Sequence, residues 1–265
     1  MAIYITQQQR TSDPVSVTFP APFNQPPVVL VTPFWKGQGE AVPSIETVTS
    51  VTAKDCQISS ANQASNYYVN ILAIDSQETS IGTLGIYAGV KAKMQAGLTT
   101  IDFPARLKSN DPVALVSPQW TSPVGYVEYL VTSAASEIQT YSKNMAPAGA
   151  YSIEYLATDR GASSFQKPFS KYTQIETGTY NKTGSGSYRI YFQSPFSAPP
   201  VVFLSSWWNG TQSVLGSIET VVDVTKEYFD AIADNAQSNY FVNWMAFGNT
   251  ANPPANDESG SVSTS

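Results

Sequence analysis

Pro26-Pro-Val-Val-Leu-Val-Thr32 and Pro199-Pro-Val-Val-Phe-Leu-Ser205 stand 173 residues apart, and the sequence around them repeats with them. Phe19 to Ile74 lies over Phe192 to Phe247 without a gap, with 23 identities in 56 positions, which is duplication and not shared composition. Trp35-Lys-Gly37 returns as Trp208-Asn-Gly210, Ser44-Ile-Glu-Thr-Val48 as Ser217-Ile-Glu-Thr-Val221, and Ser65-Asn-Tyr-Tyr-Val-Asn70 as Ser238-Asn-Tyr-Phe-Val-Asn243. A Pro-Pro pair cannot continue a helix, and a short apolar, β-branched run behind it reads as a strand buried on both faces.

A diverged third copy lies between these two: Asp102-Phe-Pro-Ala105, Asp111-Pro-Val-Ala-Leu-Val-Ser-Pro-Gln-Trp120 and Tyr151-Ser-Ile-Glu-Tyr-Leu-Ala157. The second and third copies open with Gly-Thr lead-in strands, Ile81-Gly-Thr-Leu-Gly85 and Glu176-Thr-Gly-Thr-Tyr180. The copies span residues 1–76, 77–162 and 163–250. The stretch 251–265, rich in Asn, Pro, Ser and Gly and almost without large apolar side chains, is expected to be a disordered tail. Ile45 to Val51 is rich in β-branched residues and reads as a strand. Val242-Asn-Trp-Met-Ala-Phe247 is apolar nearly throughout, which fits a central strand or a buried helix. No amphipathic helical pattern lasts a dozen residues, so the reading is all-β, with three tandem antiparallel β-sandwich modules.

Composition narrows the chemistry. The 265 residues are 42% hydrophobic and 13% charged, enough apolar material for a core, with a net charge of −6 that offers no basic face to phosphates. Nucleic acid and membrane insertion are therefore not expected; no run of about 18 apolar residues occurs. With no histidine and only Cys56, the chain lacks the residues of Ser-His-Asp or Cys-His catalysis and of His/Cys zinc sites. No calcium-loop spacing appears either, and neither a catalytic residue nor a metal or other cofactor is expected. No basic stretch followed by an apolar run opens the sequence, so the expectation is synthesis in the cytoplasm, with export by a route needing no signal peptide left open.

The order of these blocks, a β-branched strand, Phe, Pro-Phe, Pro-Pro-Val-Val, a turn, an alternating strand and a final Val-Asn-Trp-Met-Ala-Phe-Gly248, resembles the H-type lectin domain of snail agglutinins and discoidins. The likeness covers about 60 residues of each copy, strongest in the third. It implies a six-stranded antiparallel sandwich and a trimer of protomers that binds N-acetylgalactosamine near the protomer junctions. Three copies in one chain then imply packing around an approximate threefold axis, one monomer imitating the family's homotrimer. In that family an aromatic-His pair before the last strand and an Arg on the preceding one hold the sugar. Here the matching stretches are Ser59-Ser-Ala-Asn62 and Ile232-Ala-Asp-Asn235, so that site is not carried over.

The expected function is a non-enzymatic carbohydrate-binding protein whose partners are glycans or glycoconjugates, gaining avidity from repeated sites. The alternative is a structural or receptor-binding component of a larger particle or toxin. Trp35, Trp120 and Trp208 share one position just past a strand, where a ring can stack on a pyranose, or else close the core or pack one module on another, as aromatic side chains more often do. Asn62, Asn66, Tyr67, Asn235, Asn239 and Tyr240 stand at the turn before the last strand, where amides supply both donors and acceptors to sugar hydroxyls or bond their own turn. Trp35, Trp208 and these six form the candidate ligand site. Asn70 and Asn243, inside apolar strands, demand buried partners. Glu46, Glu128 and Glu219 recur once per copy and read as the polar side of a strand or as hydroxyl acceptors, not as a hydrolytic pair. Cys56 aligns with Phe229 and is expected to be a buried thiol.

Overall fold

The computed structural model describes residues 2–75, 85–144, 151–160 and 172–251. The first copy forms β1 (Ile3–Gln9), β2 (Val15–Thr18), β3 (Val28–Trp35), β4 (Thr47–Val51), β5 (Asp55–Ser59) and β6 (Tyr67–Ile74). The second forms β7 (Ile86–Ala92), β8 (Gly97–Asp102), β9 (Val113–Gln119), β10 (Tyr129–Ser133), β11 (Glu137–Ser142) and β12 (Ser152–Thr158). The third forms β13 (Gln174–Asn181), β14 (Gly186–Tyr191), β15 (Val201–Trp208), β16 (Thr220–Val224), β17 (Tyr228–Ala233) and β18 (Tyr240–Gly248). Among the described residues there is no helix, so the stretch from Val242 is a strand. The strand expected from Ile45 begins only at Thr47 and carries a bulge between Val48 and Ser50, which leaves Glu46 in the approach to the strand. The joints between copies at 76/77 and 162/163, and 252–265 of the expected tail, lie outside the described residues.

The eighteen strands make three six-stranded sheets, ordered β1-β6-β3-β16-β17-β14, β2-β5-β4-β9-β12-β7 and β13-β18-β15-β10-β11-β8. Every sheet draws three strands from one copy and three from another. The seam between the halves is a short parallel pairing, Phe34 with Val221, Gln119 with Val48 and Trp207 with Leu130, while all other pairings are antiparallel.

Period-two alternation explains why the Pro-Pro strands are apolar at consecutive positions. In β3, Val29 and Val31 face a cluster with Val17, Val48, Ile58 and Ile71, all from the first copy. Val28 and Leu30 face the opposite way, into a cluster that gathers Leu115 and Leu156 of the second copy and Phe203 and Met245 of the third. Analogous clusters surround Ile153 and Trp244. Fully burying each such side chain contributes roughly 1.5–3 kcal/mol, so these double-faced strands hold the copies together as well as filling each copy's own interior. Cys56 is fully buried in the first copy's cluster, and burial pushes its thiol up to about 12.

Because β3 meets β16 only near Phe34, the first half of that edge lacks a strand partner, and buried N–H groups there need another acceptor. Side chains of neighbouring copies supply it. Ser117 Oγ accepts the Val31 N–H at 2.9 Å, Thr32 Oγ1 the Leu204 N–H at 3.0 Å and Ser205 Oγ the Val116 N–H at 2.9 Å, each copy bonding the next in a closed circuit. A second circuit uses the buried amides: Asn70 Nδ2–H donates to Val202 O at 2.8 Å and Asn243 Nδ2–H to Ala114 O at 3.1 Å. Glu154 holds the same register place in the second copy, accepting the Val29 N–H at 3.0 Å.

Candidate functional site

Each outer copy ends its Pro-Pro strand in a tight turn. Gly37 and Gly210 both have φ of +71°, which a side-chain-bearing residue adopts only at a cost, and this fixes Trp-x-Gly as the turn sequence. The turn is anchored to a neighbouring copy: the Gly37 N–H donates to Val222 O at 2.8 Å and the Gly210 N–H to Val131 O at 3.0 Å. Trp35 and Trp208 are thereby held half-buried beside the seams. The Trp35 ring meets Tyr67 edge-on at 6.1 Å; Trp208 lies 6.3 Å from Tyr240 and 6.5 Å from Tyr129 of the second copy.

The amides gather around these turns, and most of their bonds run inward. Asn66 Oδ1 accepts the Trp35 Nε1–H at 3.1 Å while its Nδ2–H donates to Lys36 O at 2.8 Å. Asn62 Nδ2–H donates to Ser44 O at 2.8 Å and Asn235 Nδ2–H to Ser217 O at 2.6 Å, which ties the turn before the last strand to the approach of the fourth strand. Asn239 is exposed, in the left-handed region at φ 63°, a conformation Asn tolerates better than most residues. Tyr67 and Tyr240 are buried, and their hydroxyls donate to Glu46 and to Glu219.

Those glutamates form a constellation that residue-by-residue reading missed. Glu46 bonds Arg10 and Tyr67; Glu128 bonds Lys93 at 3.0 Å, Ser142 Oγ at 2.6 Å and Tyr151 OH at 2.8 Å; Glu219 bonds Tyr188 OH and Tyr240 OH at 2.8 Å, with Lys182 Nζ at 3.5 Å. All three cations are buried at the end of their copy's lead-in strand, 36, 35 and 37 residues before the carboxylate. That recurring spacing was the available signal, masked by the change from Arg to Lys. Burial pushes Glu46 and Glu219 upward against the pull of Arg10 and Lys182, and pushes Lys93 and Lys182 downward against Glu128 and Glu219. Each carboxylate has its own cation and at least one phenol, two in the case of Glu219, an arrangement suited to holding strands in register.

All three glutamates line one cavity of about 60 Å³ where the copies meet, with Ser117, Ser205 and Ser206. A wider depression of about 290 Å³, lined by Val42, Pro43, Leu215 and Asp234, shares Ile45, Val127 and Ile218 with it. Among the described residues no group of three or more His, Cys, Asp or Glu side chains is placed to hold a metal ion. Comparison with protein-family models, curated proteins and solved structures returns no match.

Proposed function

We propose that this chain is a non-enzymatic carbohydrate-binding protein built from three β-sandwich modules, residues 1–76, 77–162 and 163–250, around an approximate threefold axis. The modular part is supported by three apolar clusters each centred on one copy, a fourth drawn evenly from all three, and the closed circuits of side-chain to backbone bonds between them. The functional part is carried by one observation: a half-buried tryptophan stands beside every parallel seam, Trp35 next to Phe34, Trp120 next to Gln119 and Trp208 next to Trp207. A flat ring at a junction, with polar groups around it, suits the C–H face of a pyranose. Glycans or glycoconjugates are the partners, bound at Trp35 and Trp208 with Asn62, Asn66, Asn235 and Asn239 beside them.

A second reading, a structural or receptor-binding part of a larger particle, is favoured by the inward bonds of Asn66, Asn62 and Asn235 and by the burial of Tyr67 and Tyr240. A glycan array probed with the purified full chain separates the two. Dose-dependent binding to a defined set of glycans is expected; an array without any specific signal favours the scaffold.

A further inference from the structure

The turns at Trp35 and Trp208 share a backbone and differ in what their asparagine does. In each, the residue after the tryptophan donates its N–H to the asparagine carbonyl, Lys36 to Asn66 O at 3.1 Å and Asn209 to Asn239 O at 3.0 Å. In each, the turn closes back on the tryptophan carbonyl, with the Gln38 N–H 3.2 Å from Trp35 O and the Thr211 N–H 3.1 Å from Trp208 O. The indoles meet their tyrosines alike, at 88° for Trp35 with Tyr67 and 77° for Trp208 with Tyr240. At the asparagine the likeness ends. Asn239 has φ of 63° and Asn66 does not share that left-handed backbone, so the two carboxamides set out from differently rotated Cα atoms.

Asn66 closes its turn on both sides, accepting the Trp35 Nε1–H at 3.1 Å and donating Nδ2–H to Lys36 O at 2.8 Å. At Trp208 the same groups are unbonded. Among the described residues nothing accepts the Trp208 indole N–H, nothing donates to Asn209 O, and the carboxamide of Asn239 bonds no protein group. None of these is sealed away: Asn209 and Asn239 are exposed, and the indole nitrogen of Trp208 is open to solvent. A hydroxyl accepts one hydrogen bond and donates another through a single oxygen. One sugar hydroxyl can therefore fill both roles that Asn66 divides between its oxygen and its nitrogen.

We infer that Asn66 is a built-in competitor that latches the Trp35 seam, while the Trp208 seam stands open to a ligand hydroxyl that accepts the indole N–H and donates to Asn209 O. The inference rests on the glycan reading of the seams and adds an order of affinity to it. A sugar at Trp35 must first displace the Asn66 carboxamide, giving up two protein hydrogen bonds that the Trp208 seam does not make, so its apparent affinity falls by the fraction of time the latch is open. Immobilised glycans engage both seams together and gain from avidity. Free monosaccharides read the seams one at a time.

The indole N–H resonances of the full chain, labelled with nitrogen-15 and assigned through Trp35→Phe and Trp208→Phe, report the two seams separately while free glucose, galactose, mannose or N-acetylglucosamine is titrated in. For at least one of the four sugars the Trp208 signal is expected to shift with a midpoint about tenfold or more below that of Trp35. Asn66→Ala is expected to bring the Trp35 midpoint down to that of Trp208. Without sugar, the Trp35 indole N–H should exchange with solvent more slowly than that of Trp208, a readout on the native chain that stands even if Asn66→Ala fails to fold. Equal midpoints, equal exchange rates, or an Asn66→Ala chain whose Trp35 binds no better overturn the inference and leave the seams as glycan sites. If neither indole shifts with any of the four sugars, the glycan reading of the seams falls and this inference falls with it.

Discussion

Glu154 Oε2 of the second copy accepts the backbone N–H of Val29 of the first at 3.0 Å, at the place where the other two copies use Asn243 and Asn70 as donors to carbonyls. Within an antiparallel ladder a residue's N–H and C=O point to the same side, so an amide at this place can donate where an ionised carboxylate cannot. Among the described residues the other oxygen of Glu154 is buried without a partner and no cation bonds it, and burial raises its carboxyl to about 8. At neutral pH it is therefore mostly a neutral acid, standing in for the asparagine of the outer copies.

That carboxyl makes stability depend on pH in a defined direction. Unfolded, a glutamate loses its proton near pH 4.3; folded, Glu154 keeps it to about 8. Between these values the native state binds more protons, so stability falls as pH rises, by up to about 1.4 kcal/mol per unit, and levels off above the folded value. Glu154→Gln keeps a neutral donor at all pH values. Urea unfolding at pH 5.5 and pH 8.5 should show the variant's advantage over the native chain growing with pH; an equal difference at both refutes this account of Glu154.

Arg10→Met leaves Glu46 buried without its cation and is expected to cost about 3–5 kcal/mol. Adding Glu46→Gln removes the stranded charge and should recover much of that loss. Chemical denaturation of the two single variants and the double variant measures the coupling; strictly additive losses would show that the pair is not the unit described.

Asn70→Ala removes the donor to Val202 O and is expected to cost about 1–3 kcal/mol, because a buried carbonyl is left unpaired between copies. Asn243→Ala should behave alike through Ala114 O. Asn24→Ala, at an exposed position outside the left-handed region, is the comparison, with a smaller effect read from the same unfolding midpoints.

At Gly37 and Gly210 the space around an added Cβ is empty, so the whole cost of Gly→Ala is the positive φ, about 1–2 kcal/mol at each. Gly39, with equal space and no positive φ, should accept Ala without loss. Thermal midpoints of the three variants check the contrast.

What could be read from sequence was local or repeated. The duplication, the all-β class and the two-faced burial of Val28–Leu30 and Val201–Phe203 followed from composition and a period of two. The exchange of half-sheets could not be read, because each seam is one short parallel pairing between distant copies, such as Phe34 with Val221, too brief to leave a pattern. Asn70 and Asn243 were recognisable as needing partners, but the partner is a carbonyl of another copy, which only the packing supplies. Arg10, Lys93 and Lys182 escaped notice because different residue types do the same work some 36 residues from their glutamates.

The seam tryptophans decide the central claim. Trp35→Ala and Trp208→Ala, measured by surface plasmon resonance on the strongest glycan of an array, are expected to weaken binding about tenfold or more per folded molecule while Trp120→Ala does not, since its copy lacks the amide partners. A fold-only role predicts otherwise: truncating a purely packed Trp costs about 3–5 kcal/mol of stability. If all three variants lose stability alike and each folded fraction binds as the native chain does, the tryptophans are packing and the seams are not the glycan sites.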